Sequence, residues 1–205
     1  MTPAGRPAPH PDPLMAFPFI GGRLCLNFAA TLGKRHTSPV ERLATPADLG
    51  RWFAEAGLVT GGEPDGGGPS GAPRVTAGQL ASARALRESL YALLSAAREG
   101  RGPEPEDLLR VNAAAARPDL APQLGPAPSA VTWSGGSTAA ALSTVARDAV
   151  LLAGGPLVGR VKECENPECS LLFLDDSQAR RRRWCSMDRC GNRAKIAGYR
   201  SRTRG

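Results

Sequence analysis

Four of the chain's five cysteines form two pairs of equal spacing near the C-terminus. Four residues separate Cys164 from Cys169, four separate Cys185 from Cys190, and fifteen lie between the two pairs. Two short pairs joined by a loop of this length are typical of a tetrahedral zinc site with thiolate ligands. Because sulfur fills all four positions, no position is left for a catalytic water. The pattern therefore predicts one structural Zn²⁺.

Two other uses of four cysteines are compatible with the same spacing. An iron–sulfur centre takes thiolate ligands too, and oxidation would join the cysteines into two disulfides. The chain shows no signal-peptide pattern and no uninterrupted apolar run of about 18 residues that could cross a membrane. We therefore expect a cytoplasmic protein without a membrane span, in which thiols stay reduced, and this favours a metal over disulfides.

Positive charge is concentrated around the cysteines. The formal net charge is +7, and residues 160–205 carry 12 Lys and Arg against 6 Asp and Glu, whereas residues 1–159 carry 14 against 13. A small metal-bound module this basic is typical of a nucleic-acid-binding finger. The alternative is a solvated surface that balances a metal centre of about −2, formed by four thiolates and one Zn²⁺. The predicted phosphate contacts are Arg180, Arg181, Arg182, Arg183, Arg193, Lys195, Arg200 and Arg202.

The segments around the cysteines predict a small finger. The apolar residues 171–174 can form one arm of a hairpin, with Trp184 on the returning arm and packed in the core of the module. A helix is predicted to begin near Gly191 and to continue to about Ser201. Its positive end favours the thiolate form of a neighbouring cysteine. The order of knuckle, hairpin and helix indicates a treble-clef-like fold.

The rest of the chain reads as mostly helical. Thr45, followed by Pro46 and Asp48, is a helix start. Thr76 with Gln79 forms a capping-box pattern, and Ser137 can cap a further helix. The apolar residues after these starts recur at helical spacing. The predicted helices span about 46–56, 76–99, 105–117 and 137–153, and a short strand is predicted at 131–133. The expected fold class is mainly α with minor β (α+β).

This pattern divides the chain into a disordered start, a helical domain and the finger. Residues 1–13 are rich in proline, 14–155 form the helical domain, and 160–205 form the finger. The glycines and proline of 154–156 predict a hinge between the two folded parts. We expect the helical domain to bury an adequate core by itself, so that its stability does not depend on the finger. Cys25, in an apolar segment, is expected to be a buried core residue.

The motifs around the cysteines resemble a known family. Residues 184–187 (Trp-Cys-Ser-Met) and 190–193 (Cys-Gly-Asn-Arg), with the upstream cysteine pair, resemble the CGNR zinc finger. Residues 21–24 and 43–49 resemble the ABATE domain that accompanies this finger. Asn27 stands where the family pattern has Asp, and Ala30 stands where it has Asn. The resemblance implies a bacterial DNA-binding transcription regulator with four zinc-ligating cysteines.

These observations predict a transcriptional regulator whose finger contacts duplex DNA. The helical domain is expected to sense a signal, such as an unknown small-molecule effector, or to mediate assembly. One finger buries only about 600–1,000 Å² on DNA, which predicts a homodimer formed through the helical domain. The alternative is a zinc-scaffolded RNA-binding or protein-interaction module. With two histidines in the chain and His36 expected on a surface loop, no acid–base constellation emerges, and we do not expect an enzyme.

Overall fold

The computed structural model describes residues 12–58, 74–124, 131–134 and 136–196, and within them the chain is mainly helical with small antiparallel sheets. The described α-helices are α1 (Leu24–Ala29), α2 (Pro46–Glu55), α3 (Ala77–Arg98), α4 (Pro105–Ala115) and α5 (Thr138–Ala153). The strands pair in three hairpins: β1 (Leu32–Gly33) with β2 (Val40–Glu41), β3 (Ala121–Leu124) with β4 (Val131–Ser134), and β5 (Val161–Glu163) with β6 (Leu172–Leu174). The predicted fold class is confirmed. Of the predicted disordered start, residues 1–11 lie outside the described part.

Local capping sets the starts of three helices. The Asp48 amide donates to the Thr45 hydroxyl at 3.3 Å, and the Thr45 amide donates to the Asp48 carboxylate at 2.8 Å, which begins α2. Thr76 and Gln79 make the same reciprocal pair at α3, with distances of 3.2 and 2.8 Å. The Ser137 hydroxyl accepts a backbone amide hydrogen of α5 at 3.1 Å. These partners lie three residues apart, so the sequence predicts them directly.

The core of the helical domain forms around α3, which contacts α1, α2, α4 and α5. Its aromatic centre is Trp52, which is fully buried. The Trp52 ring packs edge-on against Phe28, with 4.9 Å between the centroids, and against Phe53 at 5.8 Å. Cys25 is also fully buried in this core, as predicted, and burial raises the pKa of its thiol.

The β3–β4 hairpin pairs the predicted strand at 131–133 with Ala121–Leu124, for which no strand was predicted. Pro122 stands opposite Trp133 in its register. A two-stranded sheet has only edge strands, and these tolerate a proline because an edge N–H does not need a partner strand.

The finger and the helical domain share β6. Leu172 and Leu174 are buried in the core of the helical domain, whereas Leu171 and Phe173 are buried in a second cluster together with the finger cysteines. Successive side chains of a strand point to opposite faces, so one short strand serves both cores. The strand after the predicted hinge at 154–156 thus packs into the first core, whereas the expected independence of the helical domain's stability from the finger stays a prediction.

Backbone contacts fix this arrangement. The Leu174 amide donates to the Gly21 carbonyl at 2.8 Å, and α1 lies against β6. Gly22 has a φ of +80°, and a Cβ atom there would lie 3.3 Å from the Leu174 Cβ atom. Glycine adopts such a φ without strain, which explains its use at this close approach. From the helical domain, Ile20 and Ala30 also pack against the cysteine cluster.

Polar contacts extend the junction. The Arg35 amide donates to the Ser170 hydroxyl at 2.9 Å, and the Arg98 guanidinium donates to the Glu163 carboxylate at 3.2 Å. His36 lies on the surface, as predicted, with its Nε2 atom 3.1 Å from the same carboxylate. The junction is thus both apolar and polar along β5 and β6.

Shortening Leu172 tests whether β6 stabilises the helical domain. We expect Leu172→Ala to lower the free energy of unfolding by about 2–5 kcal/mol, because it removes a large side chain from a closed core. The matched control is Leu124→Ala, since Leu124 is 90% exposed and its truncation should change stability by less than about 0.5 kcal/mol. Urea unfolding followed by far-UV circular dichroism measures both. Equal small effects of the two substitutions would contradict the shared core.

Candidate metal centre and nucleic-acid interface

The first cysteine pair lies in the loop between β5 and β6. The Cys164 amide donates to the Leu171 carbonyl at 3.0 Å, and the Cys169 amide donates to the Asn166 carbonyl at 2.7 Å. The loop is therefore a tight knuckle. The predicted hairpin partner was wrong: β6 pairs with the preceding β5 and not with a returning arm at Trp184.

The second pair lies at the start of a helical turn. The Ser186 hydroxyl accepts a hydrogen bond from the Arg189 amide at 3.1 Å and caps the wide turn Met187–Gly191, which continues as helix over 192–196. The helix therefore begins before Gly191, where we predicted its start. Cys190 consequently lies inside the first turn, where the unpaired backbone amides of a helix favour a thiolate.

The four sulfurs converge on one point. All of them lie within 4.8 Å of one another, with 3.8 Å between Cys169 and Cys185 and 3.6 Å between Cys185 and Cys190. Zinc–sulfur bonds of about 2.3 Å in a tetrahedron place the sulfurs about 3.8 Å apart. A disulfide needs about 2.05 Å, and all five cysteines are free thiols here. The spacing suits a single ion and leaves no room for a cluster of several irons and sulfides.

Without a cation, the four thiols compete for protons. A hydrogen bond from Cys169 lowers the pKa of Cys164 to about 7, and a hydrogen bond from Cys164 lowers that of Cys190. Hydrogen bonding to Cys164 raises the pKa values of Cys169 and Cys185. Cys169 and Cys185 therefore keep their protons, whereas Cys164 and Cys190 ionise more readily. A divalent cation removes this competition, because thiolates ligate it directly.

Asp175 organises the basic loop that follows β6. Its carboxylate is fully buried and accepts hydrogen bonds from Lys162 Nζ at 2.6 Å, from the Ser177 hydroxyl at 2.6 Å and from the Arg182 amide at 3.0 Å. Burial opposes the ionisation of Asp175, but these hydrogen bonds outweigh it and hold the pKa of the carboxyl well below its usual range. One buried carboxylate therefore binds both ends of the loop 176–182 through hydrogen bonds.

The arginine run divides into two kinds of side chain. The Arg182 guanidinium donates to the Trp184 carbonyl at 3.0 Å, donates also to the Cys185 carbonyl, and lies 4.7 Å over the Phe173 ring. These contacts assign Arg182 to the structure of the loop. The Arg183 guanidinium donates to the Glu165 carboxylate at 2.5 Å and lies over the half-buried Trp184 ring, which packs against the cysteine cluster as predicted.

Four other basic residues within the described part of the finger are free. Their side chains are exposed and form no hydrogen bond or ion pair with any described residue: Arg180, Arg181, Arg193 and Lys195. A groove of about 530 Å³ runs beside the loop, between residues 180–183 and the cations Arg98 and Lys162. Arg200 and Arg202 lie outside the described residues. The structure thus brings residues 180–183 of the predicted basic surface together along one groove, which Glu163 and Glu165 also line.

The family follows from matches that cover most of the chain. Residues 22–156 match the ABATE family, described as "Putative stress-induced transcription regulator", and residues 160–203 match the CGNR zinc finger. The chain belongs to the ABATE family. No curated protein matches it. Both families and their order agree with the resemblance seen in the sequence, and neither is an enzyme family. Together with the sulfur geometry, the CGNR match shows that the four cysteines fit a single structural zinc site.

Two positions that differ from the ABATE pattern have structural roles here. The Asn27 side chain accepts a hydrogen bond from the Gly21 amide at 2.9 Å, which fixes the turn before α1. Ala30 packs against the cysteine cluster, where a methyl group fills the space. Among the described helices of this ABATE protein, none is long and apolar enough to span a membrane.

Sequence reasoning missed two cations that the structure places near the zinc site. Lys162 lies in β5 and contacts Asp175, and Arg42 is buried beside Ala30. A lysine between Val161 and Glu163 gives no local sign of a buried partner thirteen residues away. The sequence gives no sign of the burial of Arg42 either.

Replacing one ligand tests the zinc site and its link to the helical domain. We expect wild-type protein to bind one zinc per chain and Cys185→Ser to lose it, because a hydroxyl does not replace a thiolate ligand. Since metal binding contributes to folding, the variant should also show a lower unfolding temperature of the helices. Atomic emission for zinc and far-UV circular dichroism measure both effects. The control Cys25→Ala removes the cysteine outside the site and should keep the zinc. Full helical stability in Cys185→Ser would contradict the link.

Asp175→Asn tests the closure of the basic loop. It should lower the free energy of unfolding by about 1–3 kcal/mol at neutral pH, because Lys162 and the loop amides lose a charged acceptor. Because the pKa of Asp175 is depressed in the folded state, the stabilisation by its carboxylate is fully present above the unfolded-state pKa of about 4. This stabilisation is lost only as the pH falls below that value. The difference from wild type should therefore stay constant between about pH 6 and 8. The neighbouring Asp176→Asn, 75% exposed, is the control and should have little effect. A difference that varies across this range would contradict the assignment.

Proposed function

We propose that this ABATE protein is a cytoplasmic DNA-binding transcriptional regulator whose zinc finger contacts duplex DNA through its free basic side chains. The observation that supports this best is the group of exposed, unpaired cations on a metal-held scaffold. Arg180 and Arg181 lie on the loop closed by Asp175, and Arg193 and Lys195 lie on the helix that follows Cys190.

Among the described residues, these side chains have no carboxylate partner to lose when they bind a phosphate. A cation already paired with a carboxylate must break that pair before it contacts a phosphate, whereas the free cations only release solvent counterions. Counterion release from DNA then drives binding and makes it strongly dependent on salt. Arg183 is paired with Glu165 at the edge of the same groove, so it can exchange one acidic partner for another.

Within this proposal, residues 14–155 form the regulatory domain and 160–205 the DNA-binding finger. A cavity of about 490 Å³ opens between α3, α4 and α5 and is lined by Leu86, Leu109 and Leu142 among others. This volume lies in the range typical of small-molecule sites, which supports a role in sensing an effector. A single finger offers too little area for tight specific binding, which supports assembly as a homodimer through the same domain.

Removing the free loop arginines tests the proposal. We expect Arg180→Gln/Arg181→Gln to weaken binding to a random-sequence duplex and to reduce the salt slope by about 1.8, since each lost phosphate contact contributes about 0.9. Fluorescence anisotropy across a salt titration measures both quantities. The control Arg101→Gln/Arg110→Gln removes the same net charge from arginines already paired with Glu99 and Glu106. It should leave the slope unchanged.

Two results would contradict the proposal. One is a wild-type protein whose binding to duplex DNA is absent or insensitive to salt. The other is an equal loss in the loop variant and in the control, which would reflect net charge and not a surface. A single-stranded RNA of the same length is the comparison ligand, and preferential binding to it would favour the RNA-binding alternative.

A further inference from the structure

A buried arginine from the helical domain lies beside the zinc site. Arg42 follows β2 directly, is 3% exposed, and has its backbone amide bonded to the Thr31 carbonyl at 3.0 Å. Its Nη1 atom is 3.4 Å from the Ala30 carbonyl, which is a weak hydrogen bond, and its Nε atom has no partner among the described residues. Burying a guanidinium with so few partners is costly.

Other buried or half-buried arginines of this domain have a carboxylate. Arg87, which is 2% exposed, donates to both oxygens of Glu41 at 2.6 and 2.7 Å, and Arg23 is paired with Asp148. Glu41 is the neighbour of Arg42 in the chain, yet its carboxylate is turned to Arg87. Arg42 therefore forms no ion pair with a carboxylate of the described residues, and among carboxylates only the more distant charge of Glu41 partly compensates its burial.

The surroundings of Arg42 indicate where that charge comes from. Ala30, whose carbonyl it contacts, packs in the cluster that contains Cys164, Cys185 and Cys190. Burial lowers the pKa of Arg42 to about 10 and repulsion by Arg189 adds to this, whereas attraction by Cys169 and by Glu41 opposes it. The contact with Ala30 thus places the guanidinium next to a residue that packs against the metal ligands.

Gly33 leaves the space that the guanidinium occupies. A Cβ atom at this position would lie 2.7 Å from Arg42 Nη1 and 3.3 Å from Nη2. The backbone of β1 therefore forms one wall of a cradle for the guanidinium. The cradle holds the charge away from solvent.

We propose that Arg42 is the counter-charge of the zinc–thiolate centre and that it couples metal binding to the stability of the N-terminal domain. Four thiolates and one Zn²⁺ carry a net charge of about −2, which supplies the missing partner. The inference depends on the zinc site and not on DNA binding. Loss of the metal removes this charge and leaves a buried cation unpaired between β2 and the finger.

The first test measures zinc affinity by competition with a chromogenic chelator. We expect Arg42→Met to weaken zinc binding about 10–100-fold, as is typical when a partner around a metal site is removed, and Arg42→Lys to restore most of the affinity. Arg51→Met is the control, because Arg51 is a half-buried arginine that lies over Phe17 and pairs with Asp48 and Glu55. It should keep wild-type affinity. Unchanged affinity in Arg42→Met, or an equal loss in Arg51→Met, would overturn the proposal.

A second variant keeps the test informative if Arg42→Met does not fold. Gly33→Ala retains the charge but displaces the guanidinium, so it should also weaken zinc binding. Added to a folded Arg42→Gln variant, the same substitution should cause no further loss. Additive losses in this double-mutant cycle would show that Gly33 acts independently of Arg42 and would overturn the cradle.

The stability of the metal-free protein gives an independent readout. Zinc removal should lower the urea midpoint of wild type more than that of the folded Arg42→Gln variant, because only wild type is left with a buried unpaired charge. Equal shifts in the two proteins would overturn the coupling. This measurement requires no nucleic acid, so its result is distinguishable from a failure of the DNA-binding proposal.

Discussion

The structure depends on holding four thiolates around one point. Like charges within 4.8 Å repel one another, so the arrangement persists only with a cation or with shared protons. One pair is fixed by the β5–β6 knuckle and the other by a helical turn capped by Ser186. Because the two pairs come from separate elements, one metal ion closes a long segment of chain. The basic loop lies within that segment, so its shape follows from the metal site.

The four-thiolate site is connected to the helical domain by β6 and by Arg42. The strand places Leu172 in one core and Phe173 in the other, so neither core is complete if the strand moves. Arg42 adds an electrostatic connection to this apolar one. A change in either core therefore alters the packing available to the other.

The sequence predicts what is local and misses what is distant. The helix starts at Thr45, Thr76 and Ser137 were predictable because each cap and its amide lie three residues apart. The four zinc ligands were predictable for the same reason, since each pair is a short motif. The pairing of β6 with β5 was not, because the apolar run 171–174 fits several partners equally well. The burial of Arg42 depends on elements far apart in sequence, and no residue next to it signals a metal site.

The run of four arginines shows that residue type alone does not predict which side chains are available at the surface. Arg180 has a φ of +50°, and its carbonyl accepts a hydrogen bond from Lys162. The chain turns here, so neighbouring arginines face different surroundings. Arg182 turns inward to backbone carbonyls, whereas Arg180 and Arg181 stay in solvent. Residue type predicts the total charge of the finger, but the side-chain contacts of Arg182 and Arg183 decide that Arg180 and Arg181 are the free members of the run.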